Sequence, residues 1–135
     1  MLLGSLTIRG EPARLRAARD FVARALRGAN ADVDTAALLT SELVTNSVQH
    51  STSSRPGGTV TITVIAIPGG IRVEVIDDGG ATIPAVAAAR QREDPDISES
   101  GRGLRLVDVL SASWNYYRDP AGTVTWFELT GHPHA

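Results

Sequence analysis

The chain has 135 residues, of which 42% are hydrophobic and 21% are charged, and its formal net charge is −2. This length and composition fit one globular domain over residues 1–135 and exclude an intrinsically disordered chain. No apolar run reaches the about 18–20 residues of a transmembrane helix, and the first residues lack the pattern of a signal peptide. We therefore expect a cytoplasmic protein with no membrane partner and with flexible ends at residues 1–5 and 131–135.

The composition also excludes several kinds of chemistry. The sequence contains no cysteine, which excludes disulfides, thiol nucleophiles and thiolate metal sites. It contains no lysine, so a Walker A phosphate-binding loop and Schiff-base catalysis are excluded as well. The pI is near 5.9 and no cluster of basic residues is present, so we expect no nucleic-acid partner.

Hydrophobic periodicity and turn residues divide the chain into strands and helices. In chain order the sequence predicts a strand at 2–9, a helix from Pro12 to Arg27, a helix from Asp32 or Asp34 to His50, strands at 59–67 and 71–78, a mobile segment at 79–100 that includes an alanine-rich helical piece, a helix at 101–112, and strands at 113–119 and 122–130. This order predicts a two-layer α+β fold, with helices on one face of a mixed, mostly antiparallel sheet.

The second predicted helix carries a polar stripe. Glu42, Asn46 and His50 are each four residues apart, so they lie along one side of the helix. The same side is expected to carry three leucines, namely Leu38, Leu39 and Leu43. A carboxylate placed among apolar residues needs a partner, because burying an unpaired charge is costly. The sequence leaves two interpretations open: Glu42 pairs with an arginine or backbone amides, or it belongs to a ligand site.

Two further segments combine glycine with charged residues. Residues 77–80, Asp-Asp-Gly-Gly, end a strand, where glycine lets a ligand approach the backbone and an aspartate can accept a hydrogen bond from an amine. Taken alone, an ordinary Asp-Gly turn is the simpler interpretation. Residues 101–103, Gly-Arg-Gly, begin a helix, whose free N–H groups favour anions such as phosphate. That segment is also weak evidence by itself.

Together, the three segments resemble the motifs of one known family. Residues 42–50, ELVTNSVQH, resemble the N box of the GHKL ATPases, residues 77–80 their first glycine box, and residues 101–107, GRGLRLV, their second glycine box. This family includes histidine kinase catalytic domains and gyrase B, which share the Bergerat nucleotide-binding fold. Within it, the sequence is most similar to anti-sigma-factor serine kinases and to single-domain ATP-binding regulatory proteins of actinobacteria. The resemblance covers residues 10–130.

The resemblance implies a role for each matching residue. Glu42 corresponds to the general base, Asn46 to the ligand of Mg²⁺, and Asp77 to the aspartate that binds the adenine amino group. Residues 80–100 correspond to the lid over the nucleotide. The residues expected to contact the nucleotide or its metal are Asn46, Asp77, Gly79, Gly80, Gly101, Arg102, Gly103 and Leu104. The first glycine box departs from the usual D-x-G-x-G, because Ala81 stands in place of the second glycine.

Two functions are compatible with these assignments. The first is an anti-sigma factor with serine/threonine-protein kinase activity, which uses ATP and Mg²⁺ to phosphorylate a STAS-type anti-sigma-factor antagonist and also sequesters a sigma factor. Arg102 and Arg105 are additional candidates for compensating phosphate charge. The alternative is a nucleotide-gated protein-binding regulator without significant turnover. Glu42 and Asn46 favour the kinase, while the altered first glycine box favours the regulator. The resemblance also suggests a homodimer.

Overall fold

The structure is a computed structural model that describes residues 1–51, 53, 55–79, 99–119 and 122–131. Its elements in chain order are β1 (Leu2–Arg9), a 3₁₀ turn (Pro12–Arg14), α1 (Leu15–Ala25), α2 (Val33–His50), β2 (Thr59–Ile67), β3 (Gly70–Asp77), α3 (Glu99–Leu110), β4 (Ser113–Asp119) and β5 (Gly122–Thr130). The strands and the three main helices that the sequence predicts are present, close to their expected limits. The alanine-rich helical piece expected within residues 79–100 lies outside the described residues.

The five described strands form one sheet in the order β1-β2-β3-β5-β4. Each neighbouring pair is antiparallel, so the predicted α+β fold is confirmed with an antiparallel sheet throughout the described strands. Side chains alternate between the two faces of a strand, and the buried positions of β3 are Ile71, Val73, Val75 and Asp77. Asp77 therefore lies on the same face as the apolar core, at the last residue of β3.

The helices cover one face of this sheet. α1 packs against α2, and α2 packs against α3 and against β2 and β3. The largest fully buried side chains come from both layers and include Phe127, Leu26, Leu39, Leu43, Ile62 and Val73. Each such side chain contributes about 1.5–3 kcal/mol by its removal from water. The core therefore holds α2 firmly against the sheet, which fixes the side chains of α2 relative to the end of β3.

The buried side of α2 includes Ala36, Leu39, Leu43 and Ser47, and their spacing of three and four residues is that of one helix face. The expectation that Leu38 shares this face is wrong, since 40% of its surface is exposed. Successive residues of a helix are about 100° apart, so Leu38 lies about 200° from Ala36, on the opposite side.

Short local signals set the ends of the helices. The Oδ1 of Asp32 accepts a hydrogen bond from the N–H of Thr35 at 3.1 Å, so Asp32 is the residue that caps α2. α1 ends before Gly28, whose φ of +81° is unfavourable for other residues. α3 begins at Glu99 and not at Gly101, so the last two residues of the expected lid belong to this helix.

The first residues of the chain are paired with β2, although flexibility was expected for residues 1–5. Leu2 lies opposite Ile65 in the sheet, and the amino group of Met1 donates a hydrogen bond to the carbonyl oxygen of Ala66 at 2.9 Å. At the other end, residues 132–135 lie outside the described residues. None of the described helices is long and apolar enough to span a membrane.

Candidate functional site

The carboxylate of Asp77 lies where the end of β3 meets α2 and the start of β5. Only 7% of the surface of Asp77 is exposed. Its Oδ1 accepts a hydrogen bond from the N–H of Gly79 at 2.7 Å. The carboxylate also accepts hydrogen bonds from the hydroxyl of Ser47 on α2 and from the N–H of Thr123 on β5. Groups from three parts of the fold therefore hold this side chain in one position.

Burial raises the pKa of Asp77, because desolvation penalises the charged form. The hydrogen bonds from Gly79, Ser47 and Thr123 act in the opposite direction, and the neighbouring charge of Asp78 raises the pKa further. The net result is a buried carboxylate that ionises less readily than an exposed one. A ligand that donates a hydrogen bond to Asp77 would favour its charged form.

The two consecutive aspartates differ in what they contact. Asp78 is exposed, and its Oδ2 accepts a hydrogen bond from the N–H of Thr59 at 2.9 Å. Its own N–H donates to the Oγ of Ser53 at 2.8 Å. These bonds attach the chain after Asp77 to the start of β2 and to the segment after α2. Asp77 thus faces the interior, while Asp78 anchors the loop.

Close backbone packing occupies one side of Asp77. Gly79 has a φ of +80°, and a Cβ added there would lie 3.2 Å from the Cα of Gly122. A Cβ added at Gly122 would clash with the carbonyl oxygen of Asp77. The end of β3 and the start of β5 therefore approach each other at a distance that glycine, which lacks a Cβ, permits. This explains physically why the predicted binding residue Gly79 is a glycine.

Asn46 presents a polar atom that lacks a protein partner. The residue is 7% exposed, and its Oδ1 is buried with no hydrogen-bond donor among the described residues. Such orphaned oxygens are rare in native proteins because they are costly. An amide oxygen suits a hard cation such as Mg²⁺, which commonly takes few protein ligands and completes its shell with phosphate oxygens and water. Asn46 therefore fits the predicted metal role.

Glu42 lies one helical turn before Asn46 and is half-buried. In the part of the chain that the structure describes, its carboxylate forms neither an ion pair nor a hydrogen bond. The interpretation in which an arginine or backbone amide pairs with Glu42 therefore has no support among these residues. A carboxylate without such a partner is available to accept a proton from a ligand.

The segment that resembles the second glycine box forms the first turns of α3, which packs against α2. The residues predicted to bind there are Gly101, Arg102, Gly103 and Leu104; their backbone is helical, and their side chains lie outside the described part of the chain. Gly80 and the expected lid up to residue 98 also lie outside it. Arg105, the further candidate for charge compensation, is exposed on α3.

Residues 8–129 match the histidine kinase-like ATPase domain family. This range contains α2, the end of β3 and α3, so all three predicted motifs lie inside the match. The chain belongs to the histidine kinase-like ATPase domain family. The predicted resemblance to GHKL ATPases is thereby confirmed. The relatives described next agree with the prediction that the chain is close to the anti-sigma-factor kinases within this family.

Sequence and structural relatives of this histidine kinase-like ATPase domain come from several bacteria. The anti-sigma F factor of Geobacillus stearothermophilus is 35% identical over 71 residues, which are 50% of this chain and 48% of that protein. The chain thus spans about half the length of this curated relative. The RsbU and RsbW domains of a Mycobacterium tuberculosis protein align with a TM-score of 0.65 at 20% identity, over 96% of this chain and 33% of that chain. A histidine kinase domain from Erythrobacter litoralis aligns with a TM-score of 0.55 at 29% identity, over 86% and 60% of the two chains.

Three residues of this histidine kinase-like ATPase domain contact the site but were not predicted from the sequence. Ser47 directly follows Asn46 and lies four residues after Leu43, so its place on the buried face of α2 was the available signal. Thr123 reaches Asp77 because the two residues are opposite each other in the β3–β5 pair. Ser53 contacts Asp78 because the segment after α2 meets the end of β3, and no local sequence pattern indicates this contact.

Proposed function

We propose that this chain binds ATP with Mg²⁺ and acts as an anti-sigma factor with serine/threonine-protein kinase activity. One observation carries the proposal: Ser47 contacts the buried Asp77 carboxylate, and the preceding residue, Asn46, holds an oxygen without a partner among the described residues. One turn of α2 therefore contacts a hydrogen-bond acceptor suited to an amino group and also carries an oxygen suited to bind a cation. Membership of an ATPase family and the identity to an anti-sigma F factor support the proposal.

Asp77 is proposed to select adenine. Its carboxylate accepts hydrogen bonds, and adenine presents an amino group where guanine presents a carbonyl oxygen. An acceptor placed against the carbonyl of guanine would be unpaired and repelled. The hydrogen bonds from Ser47, Gly79 and Thr123 fix the orientation of Asp77 before a ligand arrives. Selectivity then follows from one preorganised carboxylate.

Asn46 is the residue proposed to hold Mg²⁺ through its buried Oδ1. When bound, Mg²⁺ neutralises negative charge on the nucleotide phosphates. The contribution of the protein is to fix one oxygen ligand on α2, whose core-facing side chains hold the helix in place. Because Asn46 and Ser47 are consecutive, the metal ligand and the contact to Asp77 move together.

Glu42 is proposed as the general base. It lies one turn from Asn46 on the same helix, and as a base it would take the proton of the hydroxyl group that attacks the nucleotide. In a protein kinase that hydroxyl belongs to a serine or threonine of the partner. We propose a STAS-type anti-sigma-factor antagonist as the substrate and a sigma factor as the second partner. Partners of this kind place the protein in the cytoplasm.

The nucleotide assignment is tested by titrating the protein with Mg-ATP and Mg-GTP, and by repeating both titrations with Asp77→Asn. We expect ATP to bind more tightly than GTP. The variant should weaken ATP binding by about 1–3 kcal/mol, the contribution of a hydrogen bond to a charged group. Circular dichroism checks that the variant is folded. Equal affinity for the two nucleotides, or no binding at millimolar Mg-ATP, would refute the assignment.

One observation favours a second candidate, a nucleotide-gated regulator without significant turnover. The first glycine box has Ala81 where D-x-G-x-G has its second glycine. A regulator requires nucleotide binding and a partner surface but no general base. Transfer of the γ-phosphate to a purified antagonist, measured for the wild type and for variants of Glu42, separates the two candidates.

A further inference from the structure

A second concave site lies where the end of β1, the start of β2 and the segment after α2 meet. The cavity measures about 550 Å³, which is in the range of small-molecule binding sites. Two arginines, Arg9 and Arg55, are among the residues that line it. The described residues that line this cavity include none of those assigned to nucleotide binding, so the proposed function does not account for them.

Backbone atoms form part of the cavity wall. Ser53 is 1% exposed, and a Cβ added at Gly10 or Gly58 would clash with its carbonyl group. The N–H of Gly10 donates a hydrogen bond to the carbonyl oxygen of Gly58 at 3.2 Å. The N–H of Gly58 donates a hydrogen bond to the carbonyl oxygen of Arg55 at 2.8 Å. This wall is closely packed and hydrogen-bonded, so the cavity is built into the fold.

The charges that line the cavity are predominantly positive. Neither Arg9 nor Arg55 forms an ion pair or hydrogen bond through its guanidinium group with another described residue. Of the described lining residues only Glu11 is acidic, and its carboxylate pairs with Arg14 at 3.6 Å. Two guanidinium groups without a counter-ion from these residues favour an anionic ligand.

We propose that this cavity binds a phosphate group, free or carried by a small molecule, between Arg9 and Arg55. A phosphate monoester has a charge of about −1.5 to −2 at pH 7 and three acceptor oxygens, so two guanidinium groups can share it. A carboxylate has a single charge and two oxygens, which one arginine binds in a bidentate pair. The volume leaves room for an organic group beside the phosphate.

The cavity adjoins the loop that follows Asp77. The Oγ of Ser53, a lining residue, accepts the hydrogen bond of the Asp78 N–H. The N–H of Thr59, which also lines the cavity, donates to the Asp78 carboxylate. The amide signal of Asp78 is therefore expected to report on occupancy, although Asp78 does not line the cavity.

Phosphate binding is measured on ¹⁵N-labelled protein by titrating inorganic phosphate and then glycerol 3-phosphate, with chloride keeping the ionic strength constant. We expect saturable shifts of amide signals around the cavity, namely those of Gly57, Gly58, Thr59 and Asp78. The double variant Arg9→Gln/Arg55→Gln should lower the affinity about tenfold or more. The matched control Arg27→Gln removes an exposed charge away from the cavity and should leave the affinity unchanged.

Each outcome decides the proposal. Tighter binding of glycerol 3-phosphate identifies an organic phosphate as the ligand, and equal affinities identify the free anion. Absence of saturable shifts at these amides, or equal affinity in the double variant, overturns the proposal. Mg-ATP titration of the double variant adds a check, since a loss of ATP affinity would place these arginines in the nucleotide site. The phosphate titration needs no bound ATP, so it remains readable if the nucleotide assignment fails.

Discussion

The hydroxyl of Ser47 on α2 donates a hydrogen bond to the carboxylate of Asp77 at the end of β3. Both side chains are nearly inaccessible, with 2% and 7% of their surfaces exposed. The contact therefore forms in a medium of low polarity, where a hydrogen bond to a charged group contributes strongly. Since Asn46 precedes Ser47, this contact places the turn of α2 that carries the proposed metal ligand next to the proposed adenine-binding carboxylate.

Replacing Ser47 by alanine should weaken ATP binding. The carboxylate of Asp77 would lose one of its donors and part of its fixed orientation, so we expect a loss of about 1–2 kcal/mol in ATP binding, measured by calorimetric titration. Ser41→Ala is the matched control, because the Ser41 hydroxyl bonds to the carbonyl oxygen of Leu38 in its own helix at 2.7 Å. A similar loss in both variants would argue against a specific contribution of Ser47.

The raised pKa of Asp77 predicts an unusual pH dependence of stability. Between the ordinary aspartate pKa of about 4 and the raised value, the folded state binds more protons at Asp77 than the unfolded state does. The contribution of Asp77 to the free energy of unfolding therefore falls as pH rises through this interval and is constant above it. The slope is at most about 1.4 kcal/mol per pH unit.

This dependence is measured by urea unfolding of the wild type and of Asp77→Asn over a series of pH values. The difference between the two proteins isolates Asp77 from other titrating groups. We expect the wild type to lose stability relative to the variant as pH rises through the interval. A difference that grows in favour of the wild type as pH rises would mean that folding lowers the pKa of Asp77.

Local patterns were sufficient to predict the elements and the residues of α2. β1 has the predicted limits, and the β2–β3 hairpin turns at Gly69, whose φ is +79°. Helical spacing alone placed Glu42 one turn before Asn46. These features depend on residues close together in sequence, so the sequence contains the information that determines them.

Contacts between elements could not be predicted in the same way. Thr123 meets Asp77 because of the register of two strands that lie far apart in the chain. Ser53 meets Asp78 because the segment after α2 crosses the start of β2. The prediction for Leu38 is wrong because polar spacing defines the stripe, whereas the packing of α2 decides which side of the helix is buried. The pairing and packing of segments that are distant in sequence decide these positions. The spacing of residues within one element therefore does not predict them.

Gly79 and Gly69 form a matched pair for testing the loop after Asp77. Their φ angles are nearly equal, +80° and +79°. A Cβ at Gly69 meets no atom within 4 Å, while a Cβ at Gly79 lies 3.2 Å from the Cα of Gly122. Alanine at either position should cost about 1–2 kcal/mol of stability for the left-handed conformation. Only Gly79→Ala should also weaken ATP binding, since β5 limits how the loop can shift.

Urea unfolding measures the stability of the two glycine variants, and calorimetry measures their ATP affinity. Both variants change the left-handed backbone conformation, but only Gly79→Ala also affects the close approach of β3 and β5. The comparison therefore separates the effects of these two features on stability and ATP binding. An ATP affinity that stays at the wild-type value in Gly79→Ala would exclude this loop from the nucleotide site.

Variants of Glu42 and Asn46 separate the proposed kinase from the regulator. Glu42→Gln keeps the shape of the side chain but removes its ability to take a proton. In a kinase it should leave ATP affinity nearly unchanged and lower phosphoryl transfer to the antagonist by about 10²–10⁴-fold, as expected for the loss of a general base. Asn46→Ala removes the orphaned oxygen and should weaken Mg-ATP binding and transfer together.

Transfer is followed with γ-labelled ATP and the cognate antagonist, and Mg-ATP affinity is measured for each variant in parallel. The two residues are one turn apart on a single helix, so a general distortion of α2 would reduce ATP binding in both variants. A loss of transfer with intact binding in Glu42→Gln alone is therefore specific to proton transfer. If the wild type binds Mg-ATP and its partner but transfers no phosphate, the regulator is the correct function, and Glu42→Gln should then bind the partner as the wild type does.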